Sequence, residues 1–266
     1  MKFGGVLFLA AMVSLQAQDT ASANIDEAFR LAGVRTLLSS LPSHVNEMTA
    51  AALGQLPSDQ RLQFGPLIND VSLKFLDPDA FARQLKTYFA SHYNTSKMAT
   101  FLALERTPAY RSMHRMEAAS EAAGIAVRRN FEASLKTDPP TPKRVAILQR
   151  LDEAMQTTDL QVKIVAGILN AMSAGMGARM PTDLDAQTAA FTAKIRPILA
   201  GNVLIHNLFV YRNADDTDLE DYIEGLQQSS VVWFNRTLHD AILAVAADRA
   251  SRAGEYIKSK LTRPFN

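Results

Sequence analysis

The stretch that decides the fold is SKMATFLALERTPAYR, residues 96–111. Near its end, Thr107 and Pro108 are typical of a helix start, a capping residue followed by a proline at the first helical position. The stretch therefore predicts a short helix from Ser96 and a longer helix from Pro108 to about residue 136. In the short helix, four residues at helical spacing fall on one face: Met98, Phe101, Leu102 and Glu105.

The same signals extend along the chain in both directions. Asp77–Pro78 and Thr141–Pro142 repeat the cap-and-proline start, and residues 62–75 carry apolar side chains at helical spacing. No stretch combines sustained two-residue alternation with β-branched residues and hairpin turns, so no strand is predicted. The predicted fold is all-α with many helices.

Helix boundaries in the second half are predicted from caps and breakers. Because proline and glycine disfavour helix interiors, the helical segment 183–213 is expected to be interrupted at Pro197 and Gly201. Three further boundaries are expected: Asp159 caps one helix, Thr217 and Glu220 form a capping box before the next, and the last helix begins near Ser230.

The clearest break in the chain is Asp138–Pro142, which contains three prolines. Such a run cannot continue a helix, so it indicates a stiff linker or a sharp loop between two halves. The chain is therefore expected to divide into four parts: a signal peptide (1–17), an N-terminal helical half (18–137), a Pro-rich linker (138–142) and a C-terminal helical half (143–266).

The two halves resemble each other at an offset of 121 residues. In each half an aromatic-bearing helix leads into a short capped helix and then into a long Ala-rich helix. Self-similarity of this kind predicts an internal duplication, although any two amphipathic helices share part of the spacing. The matched residues are Tyr88 with Phe209, Phe89 with Val210, Ser96 with Thr217, Met98 with Leu219, Phe101 with Tyr222 and Leu102 with Ile223.

Residues 96–111 resemble the core motif of an exported bacterial family, domain of unknown function 2059. The motif combines a capped start and apolar positions with Ser/Thr–Pro and a small residue; its places are filled here by Met98, Phe101, Leu102, Leu104, Thr107, Pro108 and Ala109. Residues 217–235 are similar in order, but Gln228–Ser229 replaces the Ser–Pro and Gly225 stands where an aromatic is usual. The resemblance implies an all-helical envelope protein and brings no activity or catalytic residue.

The N-terminus has the order of a secretory signal peptide. Lys2 is followed by the apolar run Val6–Val13 and a polar stretch ending in the small residue Ala17, where cleavage is expected. The apolar run is much shorter than the roughly 20 residues that span a bilayer, so a retained anchor is the weaker alternative. We expect a bacterial periplasmic or secreted protein, without a transmembrane segment once the signal is removed.

Composition narrows the possible partners and sites. Lysine and arginine total 28 against 27 acids, and loss of Lys2 would leave the two signs balanced, so the bulk charge does not attract nucleic acid or an anionic membrane. The absence of cysteine excludes disulfides, cysteine nucleophiles and thiolate metal sites. Hydrophobic residues make up 47% of the chain, which suffices for a packed core.

Residues that could carry chemistry are scattered. The five histidines lack ligand spacing, and no nucleophile elbow, phosphate loop or dinucleotide motif occurs. We therefore assign no catalytic residue, cofactor site or metal ligand, and we expect no cofactor. The acidic run at 215–221 is interpreted as helix N-terminal acids. If a site exists, its sharpest candidates are His206, His239 and Asp216.

Two hypotheses for function follow from these residues. The favoured one is a non-enzymatic envelope protein that binds a protein partner or an apolar ligand. The uncharged segment 164–178 could line a site for such a ligand, although its length favours burial in the core as the better explanation. The alternative is a hydrolase-like enzyme whose site is assembled from scattered residues such as His206, Asp216 and His239.

The first prediction concerns export. Cleavage after Ala17 should give a mature chain that starts at or near Gln18 and is recovered outside the cytoplasm. N-terminal sequencing of protein from its own host measures this directly. A chain that still begins with Met1, or that is found only in the membrane pellet, contradicts the prediction.

Overall fold

The computed structural model describes residues 19–34, 70–71, 74–75, 77–176 and 184–261, and these residues form helices and no strand. The all-α prediction is therefore confirmed. The signal segment 1–17 and most of the helix expected at 62–75 lie outside the described residues. No described helix is long and apolar enough to cross a membrane. The helices are α1 (19–31), α2 (Pro78–Ser91), α3 (Thr95–Glu105), α4 (Pro108–Ala122), α5 (Gly124–Ser134), α6 (Pro142–Met155), α7 (Thr157–Met176), α8 (Leu184–Val210), α9 (Asp216–Leu226) and α10 (Ser229–Leu261).

The proline-led helix starts lie where the sequence predicts them. Asp77 caps α2 by accepting a hydrogen bond from the Asp79 N–H at 3.0 Å, and Thr141 caps α6 in the same way. Helix α4 begins at Pro108, while α3 begins one residue earlier than predicted. The reason is Asn94, whose side chain accepts from the Lys97 N–H at 2.9 Å and so fixes the start.

The prediction that Asp159 caps a helix is wrong. Helix α7 already begins at Thr157, after a left-handed turn at Gln156 (φ 55°). The free N–H at this start is satisfied by Asp152, which accepts from the Thr158 N–H at 2.9 Å. Asp159 lies inside the first turn and forms an ion pair with Arg196 of α8.

The capping box predicted from Thr217 and Glu220 is also wrong. Asp215 occupies the N-cap position of α9, the helix starts at Asp216, and Glu220 instead pairs with Arg150 of α6 at 3.1 Å. Acids in the first turn are favoured there by the helix dipole without a capping hydrogen bond.

Two predictions about helix continuity are wrong in opposite directions. Helix α8 runs without interruption through Pro197 and Gly201, which both lie on its exposed side, where water can satisfy a freed carbonyl. The long helix expected from Pro108 instead ends at Ala122, and α5 starts at Gly124 with φ +75°. That left-handed conformation breaks the helix, and glycine is the residue that adopts it most easily.

The core is centred on the aromatic ring of Phe234 in α10. This ring stacks on Phe101 of α3 with centroids 3.9 Å apart, and it also contacts Phe89 of α2 at 5.1 Å and Phe29 of α1 at 6.5 Å. All four rings are buried. Because Phe234 belongs to the second half of the chain and its partners belong to the first, the two halves share one core.

The contacts between the halves are reciprocal. Helix α10 packs against α2 and α3, while α4 packs against α8 and α9. Helices α3 and α9 each have 11 residues, and their first residues, Thr95 and Asp216, are 121 apart. Pro108 and Ser229, the first residues of α4 and α10, show the same separation. These bounds are compatible with the predicted duplication, which stays a prediction.

The second prediction tests this shared core. Residues 18–137 and 138–266, produced as separate fragments, should each fail to fold, because each would expose the rings and helix faces that the other covers. Far-UV circular dichroism should show no cooperative melting for either fragment alone and recovery of the full-chain transition on mixing.

A matched control keeps both halves but cuts the connection between them. The full chain with a protease site between Asp138 and Pro142 should melt cooperatively after cleavage, since that segment is outside the helices. A fragment that melts cooperatively by itself, near the temperature of the intact chain, contradicts the shared core.

Candidate functional site

The structure places the three predicted site residues in different surroundings. His206 is exposed on α8 and acts electrostatically on Glu117. His239 lies on α10 and is half-buried; burial, followed by the charge of Lys163, lowers its pKa. Asp216 stands at the start of α9. Among the described residues, no three His, Asp or Glu side chains are grouped so that they could hold a metal ion.

Asp216 is engaged by two cations of α6. Arg144 donates to its Oδ1 at 2.8 Å, and Lys143 lies 3.3 Å from its Oδ2. The hydrogen bond from Arg144 and then that from Lys143 hold the pKa of Asp216 below its usual value. Arg144 also donates to the backbone carbonyl of Tyr211 at 2.5 Å, so it ties α6 to the α8–α9 connection. The Asp216 carboxylate therefore joins the start of α9 to α6.

A cluster that the sequence did not predict lies between α3, α4 and the end of α8. His114 uses both ring nitrogens: Nε2 lies 2.6 Å from Oε2 of Glu105, and Nδ1 lies 2.8 Å from Oε2 of Glu117. Glu105 is only 4% exposed, against 20% for His114 and 31% for Glu117. The Tyr211 hydroxyl donates to the second oxygen of Glu117 at 2.6 Å.

These contacts hold His114 in its charged form. Burial alone lowers the pKa of His114, but the hydrogen bonds to Glu105 and Glu117 outweigh it and raise the pKa to about 10. Burial raises the pKa of Glu117, because it disfavours the charged carboxylate. The hydrogen bond and charge of His114, followed by the hydrogen bond from Tyr211, outweigh this effect and bring the pKa of Glu117 below its ordinary value. An imidazolium whose two N–H groups are both engaged cannot accept a proton, so His114 is unsuited to act as a general base near neutral pH.

Two neighbouring tyrosines close the cluster from α4 and α9. Tyr110 and Tyr222 are buried and contact edge to face with centroids 5.0 Å apart. A Cβ atom added to Gly225 would lie 2.5 Å from the Tyr110 hydroxyl, so the Tyr110 ring fills the space above that glycine. This close approach explains why residue 225 has no side chain. The Tyr110 hydroxyl has no hydrogen-bond partner in the part of the chain that the structure describes.

Two surface grooves lie apart from the His114 cluster, and both are lined in part by α2. One open groove of about 430 Å³ lies between α2 and α10, and its lining includes Arg83, Arg249 and Arg252. A second of about 760 Å³ lies between α1 and α2 and shares Arg83. The lining of either groove contains no histidine. The described histidines and the described grooves therefore do not coincide.

Part of this arrangement left a signal in the sequence. Glu105 falls on the same helical face as Met98 and Phe101, and an acid on an apolar face indicates a buried partner. His114 and Glu117 are three residues apart and therefore neighbours on one helix face. The approach of Tyr211 and the meeting of arginines from α2 and α10 depend on tertiary packing, for which local spacing gives no sign.

The third prediction compares two buried tyrosines. Tyr211→Phe removes a hydrogen bond to a charged group and should lower the free energy of unfolding by about 2 kcal/mol. Tyr110→Phe removes a hydroxyl without a described partner and should leave the stability unchanged or raise it by up to about 1 kcal/mol. Urea unfolding of both variants measures the difference. Equal losses in the two variants contradict the assignment of these hydroxyls.

The fourth prediction concerns pH. Because the pKa of His114 rises from 6.5 to about 10 on folding, its stabilising contribution is complete below about pH 6.5 and is lost as the pH rises toward 10. His114→Gln should therefore destabilise the protein by about 2 kcal/mol at pH 6 and by much less at pH 10. Urea unfolding at pH 6, 8 and 10 measures this, with the exposed His92→Gln as control. A constant difference between wild type and His114→Gln contradicts the prediction.

Comparison with known proteins gives no second source for the roles of these residues. No protein-family model, curated protein or solved structure matches the chain. The roles given above to Glu105, His114 and the groove arginines come from their contacts alone.

Proposed function

We propose that this chain is a non-enzymatic binding module of the bacterial envelope, exported by its N-terminal segment 1–17. Its helices form a scaffold that presents surface grooves to a ligand or a partner. Catalytic chemistry is not part of this proposal, because the cluster of His114, Glu105 and Glu117 is engaged in holding the fold.

The observation that carries the proposal is the state of His114. A hydrolase needs a histidine or carboxylate that can exchange a proton beside a bound substrate. His114 instead lies between Glu105 and Glu117 with both ring nitrogens hydrogen-bonded, away from the described grooves. In this arrangement the cluster acts as an ionic clamp that joins α3 to α4 and, through Tyr211, to α8.

The surface supports binding in a second way. Phe191 and Ile198 are seven residues apart on α8 and are 44% and 63% exposed, so two apolar side chains face solvent on one side of a helix. Apolar side chains held in water favour association with another molecule. Residues 164–171 of α7 are half-buried where described, so this segment is not a fully enclosed lining for an apolar ligand.

The family relationship and the duplication belong to the same proposal. The cap-and-proline segment around Pro108, which carries the resemblance to domain of unknown function 2059, forms the α3–α4 corner. The matching bounds of α3 and α9 support two copies of this unit, with the long helix of each copy packed on the other copy. The segment 138–141 outside the helices would be the connection between the copies.

The alternative, a hydrolase built on His206, Asp216 and His239, has less support. Asp216 is held by Lys143 and Arg144, and His239 lies beside Lys163. His206 is exposed and acts electrostatically on Glu117, whereas His239 is influenced by the charge of Lys163 as well as by that of Asp240. For this reason, the variant that tests the alternative is His206→Ala.

The fifth prediction is that the protein retains a bound species when purified from its own envelope. Native mass spectrometry should show an added mass, a small molecule or a second chain, that is lost on denaturation. Two findings together would overturn the proposal and establish the enzyme alternative. The first is a chain that carries no bound species. The second is hydrolysis of an ester, peptide or phosphoester that disappears in His206→Ala but not in His92→Ala.

A further inference from the structure

The groove between α2 and α10 brings three guanidinium groups together. Its lining consists of Ala80, Arg83, Gln84, Thr87, Arg249 and Arg252, and none of these residues is acidic. Arg83 lies on α2, whereas Arg249 and Arg252 lie on α10 in the other half of the chain. The two helices are joined directly by a hydrogen bond of 2.8 Å between Arg249 and Gln84, which are 165 residues apart. The groove is therefore a product of the packing between the two halves.

Arg249 is fixed in position. Its Nε donates to Oε1 of Gln84 at 2.8 Å, its Nη1 donates to the carbonyl of Phe75 at 2.6 Å, and its guanidinium lies 5.1 Å from the ring centroid of Phe81. A guanidinium held in this way loses little conformational entropy when it binds a ligand. Since Gln84 uses its oxygen as the acceptor, its amide NH₂ is left as an additional donor.

The positive charge at the groove is only partly balanced. Arg252 pairs with Asp248 on its own helix at 3.1 Å, and both side chains are exposed. Arg83 lines both grooves and forms no side-chain hydrogen bond or ion pair with any described residue. The second groove also contains Asp26, Glu27 and Asp79, so the uncompensated positive charge is on the side of the groove between α2 and α10. Burial lowers the pKa of Arg249. The charges of Asp77 and Asp248 raise this pKa, whereas those of Arg252 and Arg83 lower it.

Two of the three groove arginines have apolar counterparts at the 121-residue offset. The residues 121 positions away from Arg83 and Arg252 are Leu204 and Phe131, and both pack against the hydrophobic core. The counterpart of Arg249 is Arg128, which pairs with Glu132 on its own helix. Apolar side chains therefore occupy two of these positions in the other half, whereas the third is an arginine in both halves.

We propose that the groove formed by Arg83, Arg249 and Arg252 binds a phosphate group. Arginine presents a planar fork that matches phosphate oxygens, and a phosphate has enough oxygens and charge to engage more than one fork. A carboxylate has two oxygens and a single charge, so it is the weaker ligand for three convergent guanidinium groups. The phosphate belongs either to a soluble phosphorylated molecule or to a lipid headgroup, and both share the recognition chemistry. This inference rests on the proposed function as a binding module and gives it a ligand class.

Titration of the mature full-length chain tests the proposal. Isothermal titration calorimetry with inorganic phosphate, glycerol 3-phosphate and acetate covers the soluble forms. Sedimentation with phosphatidylcholine vesicles, with and without one quarter phosphatidylglycerol, covers the lipid form. We expect binding of a soluble phosphate or of the anionic vesicles, weakening with added NaCl, and acetate binding at least tenfold weaker than that of the phosphate probe.

Two variants separate the groove from general surface charge. Arg83→Gln should lower the affinity about tenfold or more, because it removes a guanidinium that no described residue needs for the fold. Arg236→Gln, an exposed arginine of α10 outside the groove, should leave the affinity unchanged. Thermal unfolding of both variants should match wild type, which shows that any loss is a loss of binding.

The outcomes also separate this inference from the proposed function. Binding of soluble phosphate or of anionic vesicles that depends on Arg83 supports the inference and identifies the source. Absence of binding, equal binding in Arg83→Gln, or acetate binding as tightly as phosphate overturns it. If native mass spectrometry shows a retained species that is undiminished in Arg83→Gln, the phosphate proposal fails while the binding function stands. If the purified chain carries no bound species and also fails to bind phosphate, both the binding function and the phosphate proposal are contradicted.

Discussion

The contact between Phe234 and Phe101 is the constraint on which the rest of this structure depends. It joins α10 to α3 at a centroid distance of 3.9 Å, and Phe89 and Phe29 surround it. A buried phenylalanine contributes about 3–5 kcal/mol relative to alanine, a large part of the stability of a typical domain. Because the chain has no cysteine to form a disulfide, its two halves are joined by core contacts of this kind and by hydrogen bonds such as those from Tyr211 to Glu117 and from Arg249 to Gln84.

Once α10 is held on α2 and α3, the positions of the polar groups follow. Helix α4 packs against both α8 and α9, and this brings Glu117 to the Tyr211 hydroxyl at 2.6 Å. The nearly buried Glu105 then needs a partner, since an uncompensated charge in this place would cost several kcal/mol. His114 is that partner, and the resulting charge pairing keeps its pKa near 10. The cluster is thus a consequence of where the core places α4.

The sequence predicts the parts of this fold that depend on local chemistry. Helix starts at Pro78, Pro108 and Pro142 follow from the fixed φ of proline, and the buried face of α3 follows from its spacing. Predictions failed where distant residues intervene: Asp152 supplies the cap expected from Asp159, and Glu220 is drawn to Arg150. The arginine groove, by contrast, depends on tertiary packing. Arg83 and Arg249 are 166 positions apart, and local spacing could not indicate that they share a groove.

The differences between the two halves are as informative as their similarity. At an offset of 121 residues, Glu105 and Glu117 correspond to Leu226 and Leu238, and Arg83 corresponds to Leu204. Leucines at these positions pack against the core, which shows that the helix arrangement is compatible with apolar side chains there. Charges at the equivalent places in the first half are therefore not required by the packing geometry. Buried charge needs compensation, which Glu105 receives from His114 inside the fold. Arg83, by contrast, is exposed, so water solvates its charge and the fold does not require a partner for it. Its guanidinium forms no ion pair with a described residue, which leaves it available to an anion from solution.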